Sequence, residues 1–275
     1  MPWMPELFSA RELGRLEDKW WRQSNLAVPY FAGLRIGDIK ALTKSFAGEP
    51  ELHHPVRGRV KGEHAFAAFV TETNLWMKER NVSVEYVDRI FTKRRGVEEL
   101  ILHVDGQAGR VDLPFALVAD RRPDGRIEEL RIYYSAWPLS GRHANRPPLL
   151  QPDDELSEPA VVAEYHRALA AGDVDAITAT FEADGYVREP AGDDATHRGP
   201  EALREFYKRL VSNEGGILLQ PCGLTNDARA YGLEYNAVRR GQTELLPEAG
   251  FAVYVRGESG KLSAARIYDD AERYA

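Results

Sequence analysis

The chain has 275 residues and a mass of 30.9 kDa, a length that favours two domains over one. Its 43 acidic and 36 basic residues give a net charge of −7, which argues against nucleic acid and anionic membranes as partners. The single cysteine, Cys222, excludes an intrachain disulfide and a multi-thiolate metal site. Together with an N-terminus that lacks a secretory pattern, this composition predicts a cytoplasmic protein.

The first predicted element is an N-terminal helix. Residues 9–24 carry Leu13, Leu16, Trp20 and Trp21 at helical spacing, and this pattern predicts a helix that covers part of the fold.

An internal repeat follows this segment. YFAGLRIGDIKAL, starting at Tyr30, aligns with YHRALAAGDVDAI, starting at Tyr165, at an offset of 135 residues. The same offset pairs His54 with Glu189, and RIYYSAW from Arg131 with RIYDDAE. The repeat predicts two copies of one module.

The segment between the two copies is rich in Pro, Ser and Asp and has little periodicity, as is typical of a linker. We place the domain boundary near Pro148, which gives a first domain of residues 1–148, including the extra helix, and a second of residues 149–275.

The second module shows helices followed by strands. A helix is predicted from Ser157 to Gly172, a short helix over 173–181, a brief strand in YVREP, and a third helix over 200–211. ARAYGLEYNAVRRG, AGFAVYVRGESG and KLSAARIYDD then read as β-strands. This order predicts an α+β fold in which a curved antiparallel sheet wraps helices and leaves an apolar pocket.

These residues resemble a known family. VVAEYHRALAAGDVDAI, ADGYVREPAG and RGPEALREFY are similar to SnoaL-like polyketide cyclases and ketosteroid isomerases of the nuclear transport factor 2-like superfamily. The resemblance covers most of residues 160–270, and the first module shares it mainly through the repeat. It implies two tandem cone-shaped α+β barrel domains. The sequence has no Gly-rich phosphate loop and no nucleophile elbow, so we expect a mechanism without a cofactor.

The resemblance implies an acid/base site in the second module. Glu189 stands where the isomerases keep the carboxylate that abstracts a proton beside a carbonyl, and burial would raise the pKa of such a base. Tyr165 stands where they keep the tyrosine that hydrogen-bonds the developing oxyanion. Each has a simpler interpretation, as an exposed strand-end carboxylate and as a buried core tyrosine. The family's second acidic donor is missing, because Gly250, Phe251 and Ala252 occupy its place.

Strand alternation supplies other candidates for a polar pocket wall. Arg266, Tyr268 and Asp270 share one face of the last strand, and Asn236 shares a face with Glu234 on an earlier one. Asp270 is a candidate catalytic group, while the candidate substrate-binding residues are Arg266, Tyr268, Asn236 and the inward-facing Phe206. A solvated ion pair between Arg266 and Asp270 is the alternative.

In the first module the corresponding candidates are Tyr30 and His54, with a neutral imidazole as the base. The alternative, which we favour, is a degenerate copy that completes the pair. No histidine spacing typical of a metal site accompanies His54, so no metal is expected.

The leading hypothesis is a cofactor-independent isomerase, cyclase or dehydratase that acts on an apolar carbonyl compound. An epoxide hydrolase or cyclase of the limonene epoxide hydrolase type, using Glu189, Asp270 and Arg266, is the second hypothesis. A non-catalytic small-molecule-binding protein is the third. The two modules are expected to pair within one chain, with a homodimer as the alternative.

Overall fold

The computed structural model describes residues 30–106, 109–143, 145–190, 195–212 and 215–270, with only the backbone described for residues 30–32. The predicted N-terminal helix of residues 9–24 lies outside this range. No helix in the described part of the chain is long and apolar enough to cross a membrane.

Seven helices and twelve strands are present in the described residues. The helices are α1 (Tyr30–Ile36), α2 (Ile39–Lys44), α3 (Glu63–Glu79), α4 (Trp137–Ser140), α5 (Ala160–Ala171), α6 (Val174–Ala179) and α7 (Gly199–Leu210). The strands of the first domain are β1 (Glu51–His54), β2 (Gly58–Lys61), β3 (Ser83–Phe91), β4 (Arg95–Gly106), β5 (Gly109–Arg121) and β6 (Ile127–Tyr133). Those of the second are β7 (Phe181–Arg188), β8 (Thr196–Arg198), β9 (Ile217–Asn226), β10 (Ala230–Arg240), β11 (Thr243–Arg256) and β12 (Leu262–Ile267).

The two domains repeat one topology. The first sheet has the strand order β2-β1-β6-β5-β4-β3, and the second has the order β8-β7-β12-β11-β10-β9. Strand pairs are antiparallel except β1 with β6 and β7 with β12, which are parallel in equivalent places. Helices precede each long meander. The predicted fold class, two tandem α+β domains, is therefore confirmed, while the boundary at residue 148 stays a prediction.

Local sequence signals explain the helix limits in the second domain. Gly172 ends α5 in the left-handed conformation, with φ of 69°, which glycine adopts without a steric cost. Asp173 then caps α6, because its side chain accepts a hydrogen bond from the Ala176 amide at 2.9 Å. β9 was not among the four strand segments predicted for the second module. It contains Pro221, which is tolerated there because β9 lies at the edge of its sheet.

A third hydrophobic core lies between the domains. Each domain has its own core of helix and sheet residues. The outer faces of the two sheets meet in a further buried cluster, in which Tyr133 stacks on Phe251 with ring centroids 5.2 Å apart. Around this contact each sheet is therefore buried on both faces. Its own helices cover one face, and the sheet of the other domain covers the other.

Two equivalent ion pairs cross this interface. Arg131 of β6 donates to Glu234 of β10 through Nε at 2.5 Å and Nη2 at 3.0 Å. Arg266 of β12 pairs in the same way with Glu99 of β4, with Nε 2.8 Å from Oε1. Arg131 and Glu99 are fully buried, so each charge requires a partner of opposite sign within the protein.

Candidate functional site

An apolar cavity lies between the sheet and the helices of the second domain. Its volume is about 80 Å³, and carboxyl and phenol groups interrupt an otherwise hydrophobic wall. The lining residues are Tyr165, Leu169, Val187, Glu189, Pro190, Phe206, Tyr207, Leu210, Ile217, Leu219, Tyr235, Arg240, Tyr254, Ile267 and Asp269. The structure therefore brings together three of the candidates, Glu189, Tyr165 and Phe206.

Glu189 follows the last residue of β7 and is 6% exposed. His197, on the neighbouring β8, donates from Nε2 to Oε1 of Glu189 at 2.7 Å, and its ring stacks on Phe206. No described residue hydrogen-bonds the second carboxylate oxygen, Oε2. The imidazole thus holds one oxygen in place and leaves the other available at the cavity wall.

Asp269 is a second carboxylate on the same wall, and the sequence did not single it out. Its Oδ1 accepts hydrogen bonds from the Tyr235 hydroxyl at 2.7 Å and from the Phe251 amide at 3.2 Å. Burial raises the pKa of Asp269 to about 6, although these hydrogen bonds and the charge of Arg240 lower it. A carboxyl group with this pKa can both donate and accept a proton near neutral pH.

Tyr165 and Tyr207 place two phenols at the cavity. Their hydroxyl oxygens are 3.0 Å apart. Burial raises the pKa of Tyr165 to about 12, and the charge of Asp269 acts in the same direction. Both phenols therefore stay protonated. Because one hydroxyl donates to the other, the proton of the accepting hydroxyl is the one that can be donated to a ligand oxygen.

A third tyrosine ends a relay that leads out of the cavity. The Tyr254 hydroxyl lies 2.8 Å from Nε2 of His166, whose Nδ1 donates to Glu158 at 2.6 Å. Sequence reasoning missed this arrangement. The sequence feature that could have indicated it is His166, which directly follows the candidate Tyr165 on a helix and has Glu158 eight residues before it.

The structure does not place Arg266 and Tyr268 in the cavity, contrary to the predicted pocket wall. Both side chains lie in the interface, where the Arg266 guanidinium and the Tyr268 hydroxyl donate to Glu99. Alternation grouped these two residues correctly on one side of the strand. The cavity is lined from the opposite side, by Ile267 and Asp269.

Asp270 and Asn236 are also outside the cavity lining. Oδ1 of Asp270 accepts hydrogen bonds from the Ser135 hydroxyl at 2.8 Å and the Ala136 amide at 3.0 Å, both in the first domain. Asn236 is buried and donates to the Leu150 carbonyl at 3.2 Å. Both residues contact the other domain or the connecting segment, and neither forms the predicted polar wall.

His54 lies in a separate cavity of the first domain. Its Nδ1 accepts hydrogen bonds from the amides of Val56 and Arg57, each at 3.2 Å. The neutral ring therefore carries its proton on Nε2, which lies 3.4 Å from the Tyr134 hydroxyl. This arrangement does not suit the predicted role of base, because the lone pair of Nδ1 is already engaged. The side chain of Tyr30, the other candidate, lies outside the described residues.

Among the residues that the structure describes, one set of potential metal ligands occurs, in the first domain. Ligand atoms of Glu51, His53 and Glu129 lie within 4.8 Å of one another. Glu51 already pairs with Lys61 at 2.7 Å, and Glu129 pairs with Arg131 at 2.8 Å. A cation at this position would have to displace these side-chain charges, so the donor set is a poor metal site.

The second domain matches a known family model. Residues 162–262 match the SnoaL-like domain. A search of curated proteins found no match.

Three solved structures illustrate the likeness in fold. A hypothetical protein with a ketosteroid isomerase-like fold from Catenulispora acidiphila, in complex with trimethylamine, is 17% identical, with 43% of this chain and 91% of that one covered and a TM-score of 0.35. A nuclear transport factor 2-like protein of unknown function from Cytophaga hutchinsonii is 18% identical, with 37% and 88% covered and a TM-score of 0.32. The epoxide hydrolase/cyclase-like enzyme SalBIII of salinomycin pyran-ring formation is 15% identical, with 44% and 89% covered and a TM-score of 0.31.

Proposed function

Because residues 162–262 match the SnoaL-like domain and the cavity of the second domain carries two carboxylates, we propose that the second domain is an acid/base enzyme. It would move a proton beside the carbonyl of a small apolar compound, in an isomerisation, a cyclisation or a dehydration. The observation that supports this function best is that Glu189 and Asp269 line one hydrophobic cavity, which phenol side chains also line.

In this proposal Glu189 is the base. Its Oε2 takes the proton from the carbon next to the carbonyl, while His197 holds Oε1 at 2.7 Å. The apolar wall strengthens each charge interaction within the cavity, because little water competes with it. Glu189 then returns the proton to a different carbon, or Asp269 donates one to a leaving oxygen.

The phenols stabilise the intermediate. Removing a proton beside a carbonyl develops negative charge on the carbonyl oxygen, which a fixed donor stabilises. Tyr165 and Tyr207 are protonated phenols on the cavity wall. One hydroxyl donates to the other at 3.0 Å, and the accepting hydroxyl supplies the hydrogen bond to the oxyanion. The protein's own side chains thus supply base, acid and oxyanion donor, and the proposed mechanism uses no cofactor.

The proton transfer can be followed by deuterium uptake from heavy water into apolar β,γ-unsaturated ketones and dicarbonyl compounds, measured by mass spectrometry. We expect exchange in wild-type protein and a fall of at least about 100-fold in Glu189→Gln, which cannot accept the proton. Glu164→Gln is the matched control, because Glu164 is an exposed glutamate on α5. Wild-type exchange in folded Glu189→Gln would contradict the assignment of the base.

Epoxide opening is the second candidate function, and Arg240 is the observation that favours it. Arg240 lines the cavity, and its charge lowers the pKa of Asp269, so a cation acts beside two carboxylates. Such a set can activate water and protonate an epoxide oxygen. Incorporation of labelled oxygen from water into a panel of apolar epoxides, without deuterium exchange into ketones, would favour this function over proton abstraction.

A further inference from the structure

The first domain contains a larger cavity that the proposed function does not use. Its volume is about 300 Å³, within the range of small-molecule sites, whereas voids in packed cores rarely exceed the size of a water molecule. The lining residues are Leu34, His54, Val56, Arg57, Phe69, Thr73, Trp76, Met77, Leu102, Leu113, Phe115, Ile132, Tyr134, Ala136, Leu139 and Ser140.

Neutral donors occupy the positions that carry carboxylates in the second domain. His54 lies 135 residues before Glu189, and Tyr134 lies 135 residues before Asp269. None of the described lining residues is Asp or Glu. The first-domain cavity is therefore lined from positions equivalent to those of the second site, but its described lining has no carboxylate that can abstract a proton.

The hydrogen bonds of His54 fix its role as a donor. Nδ1 accepts two amide hydrogens, so the proton of the neutral ring is on Nε2. At 3.4 Å the contact with the Tyr134 hydroxyl is long, which leaves Nε2–H able to bind a closer acceptor. Burial and the charges of Arg57 and Arg146 also lower the pKa of His54 to about 3, which keeps the ring neutral.

Arg57 is the only cationic side chain among the described residues that line this cavity, and it is already paired. Arg57 donates to Glu72 at 2.5 Å and lies over the ring of Phe69. An anionic ligand would have to compete with Glu72 for this guanidinium and would leave its own charge beside an apolar wall. The wall thus favours a ligand without net charge.

From these observations we propose that the first-domain cavity binds an uncharged apolar molecule through an acceptor oxygen, held by His54 Nε2–H and the Tyr134 hydroxyl, without proton abstraction. The site takes a ketone, ester or ether whose remaining surface is hydrocarbon. It is separate from the second-domain site and does not depend on the activity proposed there.

Met77 provides a local probe of this cavity. The chain has three methionines, and Met77 is the one among the described residues, where it lines this cavity and not the other. In full-length protein labelled at the methionine methyl carbon, Met77→Leu assigns the signal. We expect camphor, an uncharged ketone, to shift the Met77 signal saturably, and camphene, its hydrocarbon counterpart, to bind about five- to tenfold more weakly. Camphorsulfonate should bind more weakly than camphor.

Four variants test where the ligand binds and which side chains donate hydrogen bonds to it. Thr73→Trp fills the cavity and should abolish the shift, whereas Thr71→Trp, on the exposed face of the same helix, should retain it. His54→Phe and Tyr134→Phe keep a ring and remove a donor, so each should reduce the preference for camphor over camphene.

Several results would overturn the proposal. These are the absence of a saturable shift up to the solubility of camphor, tighter binding of camphorsulfonate, or an unchanged preference in both donor variants when they are folded. Deuterium exchange into camphor that persists in Glu189→Gln and is lost in His54→Phe would also overturn it, because it would make His54 a base. Since Met77 reports only on the first cavity, these outcomes are independent of whether Glu189 is catalytic.

Discussion

The buried carboxyl group of Asp269 should make the protein less stable as pH rises through the acidic range. Its pKa is about 6 in the folded protein, against 3.8 for an ordinary aspartate. Between these values the folded state binds a proton that the unfolded state has lost, so stability falls with increasing pH. The full loss is roughly 3 kcal/mol, of which about 1.4 kcal/mol falls between pH 5 and pH 8.

Asp269→Asn removes this titration and keeps an oxygen that can accept from Tyr235 and the Phe251 amide. Urea unfolding at pH 5 and pH 8 should show that the variant gains about 1.4 kcal/mol relative to wild type between the two values. Asp154→Asn, which removes an exposed carboxylate, is the matched control. The same stability difference between Asp269→Asn and wild type at both pH values would refute the raised pKa.

Two further predictions concern the interface and the oxyanion donor. Glu234→Ala removes the bidentate partner of the fully buried Arg131 and the acceptor of the buried Tyr133 hydroxyl, while Asp120 and Glu129 still pair with Arg131. It should cost about 3 kcal/mol of unfolding free energy, measured by urea unfolding. Breaking the exposed Arg122–Glu128 pair by Glu128→Ala should cost at most about 1 kcal/mol in the same assay. Tyr165→Phe should lower the deuterium exchange rate about 100-fold if its hydroxyl donates to the intermediate. It should also cost about 1 kcal/mol of unfolding free energy, because Tyr207 loses its hydrogen-bond partner. An unchanged exchange rate would assign the tyrosine to packing.

Local signals in the sequence predicted the elements well. Gly172 and Asp173 mark the end of one helix and the start of the next, as predicted. The repeat predicted two domains of one topology, because the same turn and strand landmarks recur at a constant offset. β9 was harder to predict because a proline interrupts its pattern, and only its position at the sheet edge makes that proline acceptable.

The polar wall could not be predicted from alternation alone. Alternation predicts which residues share a face, and it separates Arg266 from Asp269 correctly. It does not identify the face that lines the cavity, because the second sheet is buried on both sides by its own helices and by the first domain. A buried arginine on the outer face therefore looks the same in sequence as a buried arginine in a pocket.

The repeat also explains why the interface stayed similar while the cavities diverged. Arg131 and Arg266, and likewise Glu99 and Glu234, are each 135 residues apart. In a two-fold contact, an arginine of one domain pairs with a glutamate of the other, and the same pair recurs with the domains exchanged. A change to either residue in one copy therefore breaks one of the two matching ion pairs. A cavity residue such as His54 is not constrained in this way, because it lines the cavity of its own domain and has no partner in the other. A carboxylate in one cavity and a neutral donor in the other are thus both compatible with an intact interface, so one fold can hold the proposed site for chemistry and the proposed site for binding.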